Sequence, residues 1–328
     1  MWMRKSNYMN SSEIIIAGAA ILDVLVRPAS PEVFASGSWP AQEIRMEVGG
    51  DAINEATVLT LLGKQVDFTG ILGQDAAADT VLQHCRRLGI STEHIKICPQ
   101  IPTGINVVLV EEKGERSFLT NPSGSLRRLS AEDIVLEPSE NTGIFSFASI
   151  FVSPLIGPGE LKQLFQRARD RGLLVCADTT KRKRGERLED LREVWPLVDY
   201  LFPNREEAAL LTGEGDADWM ADRFLEAGVG CVVLKLGAEG CLIKSRNLRI
   251  AVPAVEGITC VDTTGAGDSF AAGFLCGLLE GRDLRECGIL ANACGSLAVE
   301  AVGAARGIES RRQVEERAQR LRKQLGIE

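Results

Sequence analysis

Apolar runs too short for helices punctuate this chain, and between them apolar positions recur every three or four residues. Ile14–Ala17, 67–71, 150–152, 173–177, Tyr200–Phe202 and 232–236 have the unbroken hydrophobicity of strands buried on both faces. The intervening stretches 51–62, Ala76–Leu88, 160–171 and Ala217–Ala227 read as amphipathic helices. Strand and helix in alternation predict an α/β fold: a mostly parallel central sheet with helices on both faces. Ligands of such a sheet bind beyond the C-terminal ends of its strands.

The period changes in two places. Residues 22–27 with 43–48, and 104–111 with Arg116–Thr120, alternate as strands, and the second pair joins through Glu112, Lys113, Gly114 and Glu115, a glycine-containing hairpin connection. They predict a small β-sheet projecting from the main layer as a lid, formed by about 22–48 and 104–121; two unrelated surface hairpins would give the same pattern. Without internal repeats or linkers, 13–328 reads as one domain, with 1–12 a flexible N-terminal extension.

The chemistry concentrates where glycines precede apolar helical segments. Asp262-Thr-Thr-Gly-Ala-Gly-Asp268 leads into the apolar run 269–279. Amides at a helix start lack intrahelical partners and face the positive end of the helix dipole, so Gly265, Ala266 and Gly267 could hold a phosphoryl group. Asp268 could then accept a hydroxyl proton. A plain turn with a capping aspartate is the competing reading. Gly49-Gly50-Asp51-Ala52-Ile53-Asn54 opens a second helix in the same way, with Asn54 able to aim an amide at a hydroxylated ligand. Asn204 and Glu207 follow a strand at capping-box spacing.

Composition narrows the class. With 37 basic and 45 acidic residues the net charge is −8, which gives no footprint for nucleic acid. No window is long and apolar enough for a membrane span. Nine cysteines without a C-x-x-C pair, several inside apolar runs, read as free thiols in a reducing cytoplasm. Only His84 and His94 are present, so a His-based triad or His-rich metal site is disfavoured and any base is a carboxylate. The chain has no P-loop motif, and Gly265 with Gly267 lacks the third glycine of a dinucleotide site.

The two glycine motifs, in this order and with Asn204-Arg-Glu-Glu207 between them, resemble the signatures of the ribokinase (PfkB) family of carbohydrate kinases, and within it most resemble functionally unassigned bacterial sugar kinases. The resemblance covers the chain from Ile14 onward. It implies a ribokinase-like fold with a lid, and ATP-dependent phosphorylation of a hydroxyl on a small sugar or sugar derivative. Asp268 would be the general base and Gly265, Ala266 and Gly267 the anion hole. Asp23, Gly49, Gly50 and Asn54 would bind the sugar. Asn204, Glu207, Lys235, Gly237 and Asn292 would bind the nucleotide, with magnesium near Glu207 through water.

Asp262, Thr264, Ala298, Ala301, Gly303 and Gly307 match positions that hold a monovalent cation, potassium, in some members. Homodimerisation through the lid is a further implication. Departures from ribokinase at Ile21 and at Val152-Ser153 make ribose an unfavoured substrate, and Asp51 in place of a lysine disfavours a phosphorylated or carboxylated substrate close by, although sugar-acid kinases of the family also carry Gly-Gly-Asp; the sugar stays open. Asp178-Thr-Thr-Lys181-Arg182 leaves the basic residue facing the phosphates ambiguous. A nucleoside kinase and a non-catalytic nucleotide or sugar sensor are the alternatives. The 5% aromatic content offers the first little to stack a base on, and the intact Gly-Ala-Gly-Asp loop argues against the second.

Overall fold

In β1 (Ile14–Ala17) every residue is buried, Ile14 and Ile16 against one helical layer and Ile15 and Ala17 against the other. A strand covered on both faces has no polar alternation, which is why it reads as a continuous apolar run. The computed structural model describes residues 12–112 and 115–327. The extension expected over 1–12 lies outside them but for Ser12, as do residues 113 and 114 of the hairpin connection.

In chain order the remaining strands are β2 (Ile21–Arg27), β3 (Glu43–Gly49), β4 (Val66–Leu72), β5 (Ile95–Ile97), β6 (Ile105–Val110), β7 (Arg116–Thr120) and β8 (Ile144–Phe147). They continue with β9 (Leu174–Asp178), β10 (Tyr200–Phe202), β11 (Cys231–Lys235), β12 (Cys241–Ser245) and β13 (Leu248–Val252). The helices are α1 (Val33–Ser36), α2 (Asp51–Leu61), α3 (Ala76–Leu88), α4 (Pro158–Arg169) and α5 (Arg205–Thr212). After these come α6 (Ala217–Ala227), α7 (Ala266–Leu279), α8 (Leu284–Ala298) and α9 (Arg311–Gln324).

The main sheet among the described residues runs β13-β12-β11-β10-β9-β8-β1-β4-β5. Its pairings from β11 to β5 are all parallel, and only β12 and β13 at one edge are antiparallel. Helices α2, α3, α7, α8 and α9 pack on one face and α4, α5 and α6 on the other, giving two apolar layers. The second sheet, β3-β2-β6-β7, is the lid: two antiparallel pairs joined by the parallel pair β2–β6. This is the ribokinase-like arrangement expected, with both lid hairpins in one sheet.

One strand expectation fails. Residues 150–152 are a turn, and the sheet position is taken by β8, whose Phe145 and Phe147 enter one apolar layer while Ile144 enters the other. Phe151 has φ 81°, a left-handed conformation that strand pairing cannot accommodate. The edge strands β5 and β13 escaped the apolar-run pattern because residues such as Lys96, Ile97, Leu248 and Arg249 are exposed.

Helix α7 carries the second glycine motif and is seated by Phe274, fully buried against Phe202 of β10 with ring centroids 5.4 Å apart and against Tyr200 at 5.9 Å. Phe274→Ala should lower unfolding free energy by about 3–5 kcal/mol through lost transfer and cavity formation. Urea titration measures this, and a loss under about 1 kcal/mol would show that α7 is not seated by that ring.

Candidate active site

Neighbouring parallel strands end at one edge of the sheet, and each delivers polar groups there. β8 is followed by Ser149, β9 ends on Asp178, β10 is followed by Asn204, and β11 ends on Lys235, with Asn204 and Lys235 still bridged. Two helix N-termini, those of α2 and α7, point into the same region.

Helix α7 starts at Gly265, whose φ is 68° and whose hypothetical Cβ would lie 2.1 Å from the Ala304 carbonyl oxygen. Glycine is required there on both counts. The amide of Ser269 is the first to bond within the helix, to Gly265 O at 2.9 Å, so those of residues 266–268 form the open first turn. Ala266 N is in a long bond to Thr263 O at 3.3 Å.

Asp268 stands in that turn between two clefts. The smaller, about 270 Å³, lies under the lid sheet and is lined by Asp23, Gly50, Asn54, Asn106, Val108 and Phe118 among others. The larger, about 780 Å³, extends over Lys235, Gly237, Phe270 and Asn292. Asp51 and Asp268 line both. Protein surrounds the Asp268 carboxyl except where it faces these openings. Burial and the nearby Asp51 push its pKa well above the ordinary aspartate value, against the opposing influence of Asn54 and Lys235.

Asn54 lines the smaller cleft, and its Nδ2 donates to Asp268 Oδ2 at 2.7 Å, tying together motifs 214 residues apart. Gly49 has a steric role: a Cβ there would sit 2.0 Å from Asp23 Oδ2. Asp23 accepts from Asn106 Nδ2 at 3.2 Å and is pushed up to about 6, mainly by burial, with Glu47 and Asp51 adding to it.

In the larger cleft Lys235 pairs with Asp178 at 2.6 Å, so the basic residue beside Asp178 is Lys235 rather than Lys181, which pairs with exposed Glu206. Burial works against the Lys235 charge, but Asp178 and Glu207 outweigh it and hold the ammonium above its ordinary pKa. Asn204 and Glu207 form the capping box and also wall the cleft. Asn204 Oδ1 accepts from Glu207 N at 2.9 Å, while Glu207 Oε2 accepts from Asn204 N at 3.0 Å and from Thr179 Oγ1 at 2.8 Å. The Asn292 amide lines the same cleft, but its nitrogen is spent on the carbonyls of Val252 and Pro253, at 3.2 Å each.

Asp262 is buried and accepts from the amides of Thr264 at 2.8 Å and Gly303 at 3.0 Å. It also pairs with Arg116 of β7, which reaches from the lid and donates to Thr264 Oγ1 as well. Burial opposes these contacts, yet they hold Asp262 below the usual carboxylate value. Ala298 ends α8, Ala301 N bonds back to its carbonyl at 3.4 Å, and Gly303 and Gly307 follow in the loop before α9.

Several site residues carried no signal that the sequence reading used. Ser149 donates to Asp51, and Ser146 donates to Glu55 at 3.0 Å, where Glu55 is completely buried beneath the site. Arg116 was legible in principle, since it shares a strand face with Phe118 and Thr120 two and four residues on.

The pfkB family carbohydrate kinase model matches residues 12–311. An uncharacterized sugar kinase of Archaeoglobus fulgidus is 31% identical over 251 residues, covering 76% of this chain and 97% of the relative. The ribokinase of Haemophilus influenzae is 29% identical, covering 83% of this chain and 87% of the relative. Among solved structures, a putative ribokinase II from E. coli in complex with ATP and Mg²⁺ superposes with a TM-score of 0.79 at 23% identity, over 94% of this chain and 99% of that one, a likeness of fold. With its two glycine motifs meeting at one half-buried aspartate beneath a lid, the chain belongs to the pfkB family of carbohydrate kinases and is a phosphotransferase that takes an alcohol as acceptor.

Proposed function

We propose that the enzyme phosphorylates a hydroxyl of a small sugar or sugar derivative with ATP. The sugar occupies the smaller cleft, the nucleotide the larger, and Asp268 is the general base. The observation that carries this reading is the position of Asp268, whose carboxyl lines both clefts on the first turn of a helix. A group there reaches an acceptor hydroxyl on one side and lies beside a phosphoryl donor on the other.

Asp23, with Asn106 behind it, accepts from sugar hydroxyls, and Gly49 and Gly50 leave room for the ring. Asn54 orients the Asp268 carboxylate so that one oxygen faces the acceptor. The amides of Gly265, Ala266 and Gly267, with the Lys235 ammonium, stabilise charge on the transferring group. The larger cleft fits a nucleotide: apolar Val255, Ile258 and Phe270 suit a base, and Lys235 with the open helix turn suits phosphates. Arg116 holds the lid sheet to the loop at Asp262 and Thr264, limiting water at the reacting centre.

Among the described residues no three His, Cys, Asp or Glu side chains gather as a metal site, so magnesium would be held chiefly by the phosphates, with Glu207 beside it. Bound there, it would neutralise phosphate charge. The set Asp262, Thr264, Ala298, Ala301, Gly303 and Gly307 fits a potassium ion poorly, because the one carboxylate in it is already engaged by Arg116 and two amides. No step is derived through that ion. The nine unpaired cysteines, seven of them buried, suit the cytoplasm.

A homodimer through the lid accounts for its outer face. The register places Val24, Val26, Ile44, Met46, Val107, Leu109 and Leu119 on the side opposite Asp23 and Asn106. Ile44 is 68%, Met46 67% and Leu119 59% exposed, an apolar face that a second copy would cover.

Asp268→Asn should lower kcat by about 10²–10⁴-fold in coupled ADP-release assays with the active sugar, leaving nucleotide affinity little changed. Turnover like that of the native enzyme would remove Asp268 from its role. Because Asp23 titrates at about 6 and Asp268 above the usual range, and both act ionised, kcat/KM for the sugar should be lost as pH falls through about 6. An acid limb near 4, as for ordinary aspartates, would contradict this. Met46→Glu should convert a dimer to a monomer by light scattering, and a native chain already monomeric at micromolar concentration would refute the lid dimer.

A further inference from the structure

The acids lining the smaller cleft are all engaged. Asp23 accepts from Asn106, Asp51 from Ser149 and Asp268 from Asn54, while Glu47 is paired with Arg45 and Arg306, and Asp262 with Arg116. Two cations in the same lining are not. Arg127 has no carboxylate within ion-pairing distance among the described residues, and its one bond is a long contact of 3.4 Å from Nη1 to the Val152 carbonyl. Lys183 has no ion pair either; it lies near enough to Asp51 to lower that group's pKa, against the larger effect of burial.

Neither side chain hangs on a loose segment. The turn Ser125–Arg127 is anchored by buried Ser125, whose amide donates to Pro102 O at 2.8 Å and whose hydroxyl accepts from Gly104 N at 2.9 Å. The backbone at Lys183 and Arg184 is pinned by two bonds to Glu186, and the Arg184 guanidinium donates to Pro154 O at 2.8 Å. Val152, whose carbonyl the Arg127 guanidinium touches, lies at the turn after β8 and lines the same cleft as both cations. Each carboxyl of the cleft thus has a partner within the protein, while Arg127 and the exposed Lys183, both on anchored backbone, have no acidic partner among the described residues.

We propose that Arg127 and Lys183 form an anion subsite in the sugar cleft, and that the acceptor is a sugar carrying a carboxylate or phosphate group apart from the hydroxyl presented to Asp268. The subsite rests on the kinase reading and specifies its substrate class. A guanidinium and an ammonium together suit either anion, and their charge-assisted bonds discriminate against a neutral sugar, which leaves both cations without a partner.

The test is a matched panel with ATP: hexonates, 2-keto-hexonates and aldose 1-phosphates, each beside its neutral sugar. Native enzyme should favour an anionic member by at least about tenfold in kcat/KM, and the carboxylate and phosphate arms tell which anion is taken. Arg127→Gln should reduce the anionic-to-neutral ratio of kcat/KM by about 10- to 100-fold, mostly through KM. Lys183→Gln should act in the same direction, and Arg127→Lys should restore part of the ratio. Equal or better turnover of neutral sugars overturns the inference and leaves the kinase reading standing. An anionic preference unmoved by either variant, or variants that raise KM for ATP instead, overturns it as well. Absence of turnover across both arms overturns the inference and the kinase reading together.

Discussion

The carboxyls of Asp51, Glu55, Asp178 and Asp268 crowd around the Lys235 ammonium at the C-terminal edge of the sheet, with Glu207 and Lys183 close enough to act on the cluster. Concentrating acids away from water is costly unless each finds a donor, and each has one, Ser149, Ser146, Lys235 and Asn54 respectively, although Glu55 Oε1 is left without a hydrogen-bond partner among the described residues. The donors come from the β8 region, from β11 and from α2, so the cluster exists only when those elements are in register. Burial lifts the Asp51, Glu55 and Asp268 carboxyls above their ordinary values, which in the proposed role of Asp268 as general base makes it the stronger proton acceptor.

The architecture follows from this need. A parallel sheet ends its strands at one edge, so side chains distant in sequence meet there without long loops. Helices α2 and α7 begin at the same edge, and their open first turns supply amides where the strands supply charge. The lid then covers an edge already charged, through Asp23 and Asn106 over the small cleft and through Arg116 on the loop at Asp262. One lid face is thus given to the ligand, and the other is left apolar.

Charge within the small cleft is arranged along the same lines. Acids lining it are hydrogen-bonded or ion-paired within the protein, whereas Arg127 and Lys183 have no acidic partner among the described residues.

The amino-acid sequence by itself determined the α/β class, the lid strands, the helix starts at Gly50 and Gly265, and the carboxylate at Asp268. These depend on local period and on residues, glycine above all, whose conformational and steric properties hold in any context. Tertiary structure alone decided that Asn54 donates to Asp268, that Lys235 and not Lys181 meets Asp178, that Glu207 Oε2 and the Asn292 amide nitrogen bond to neighbours, and that β8 lies at Ile144–Phe147. Hydrogen bonds and ion pairs of that kind join residues far apart in the chain, and no periodicity along a single segment encodes a partner carried by another strand or helix.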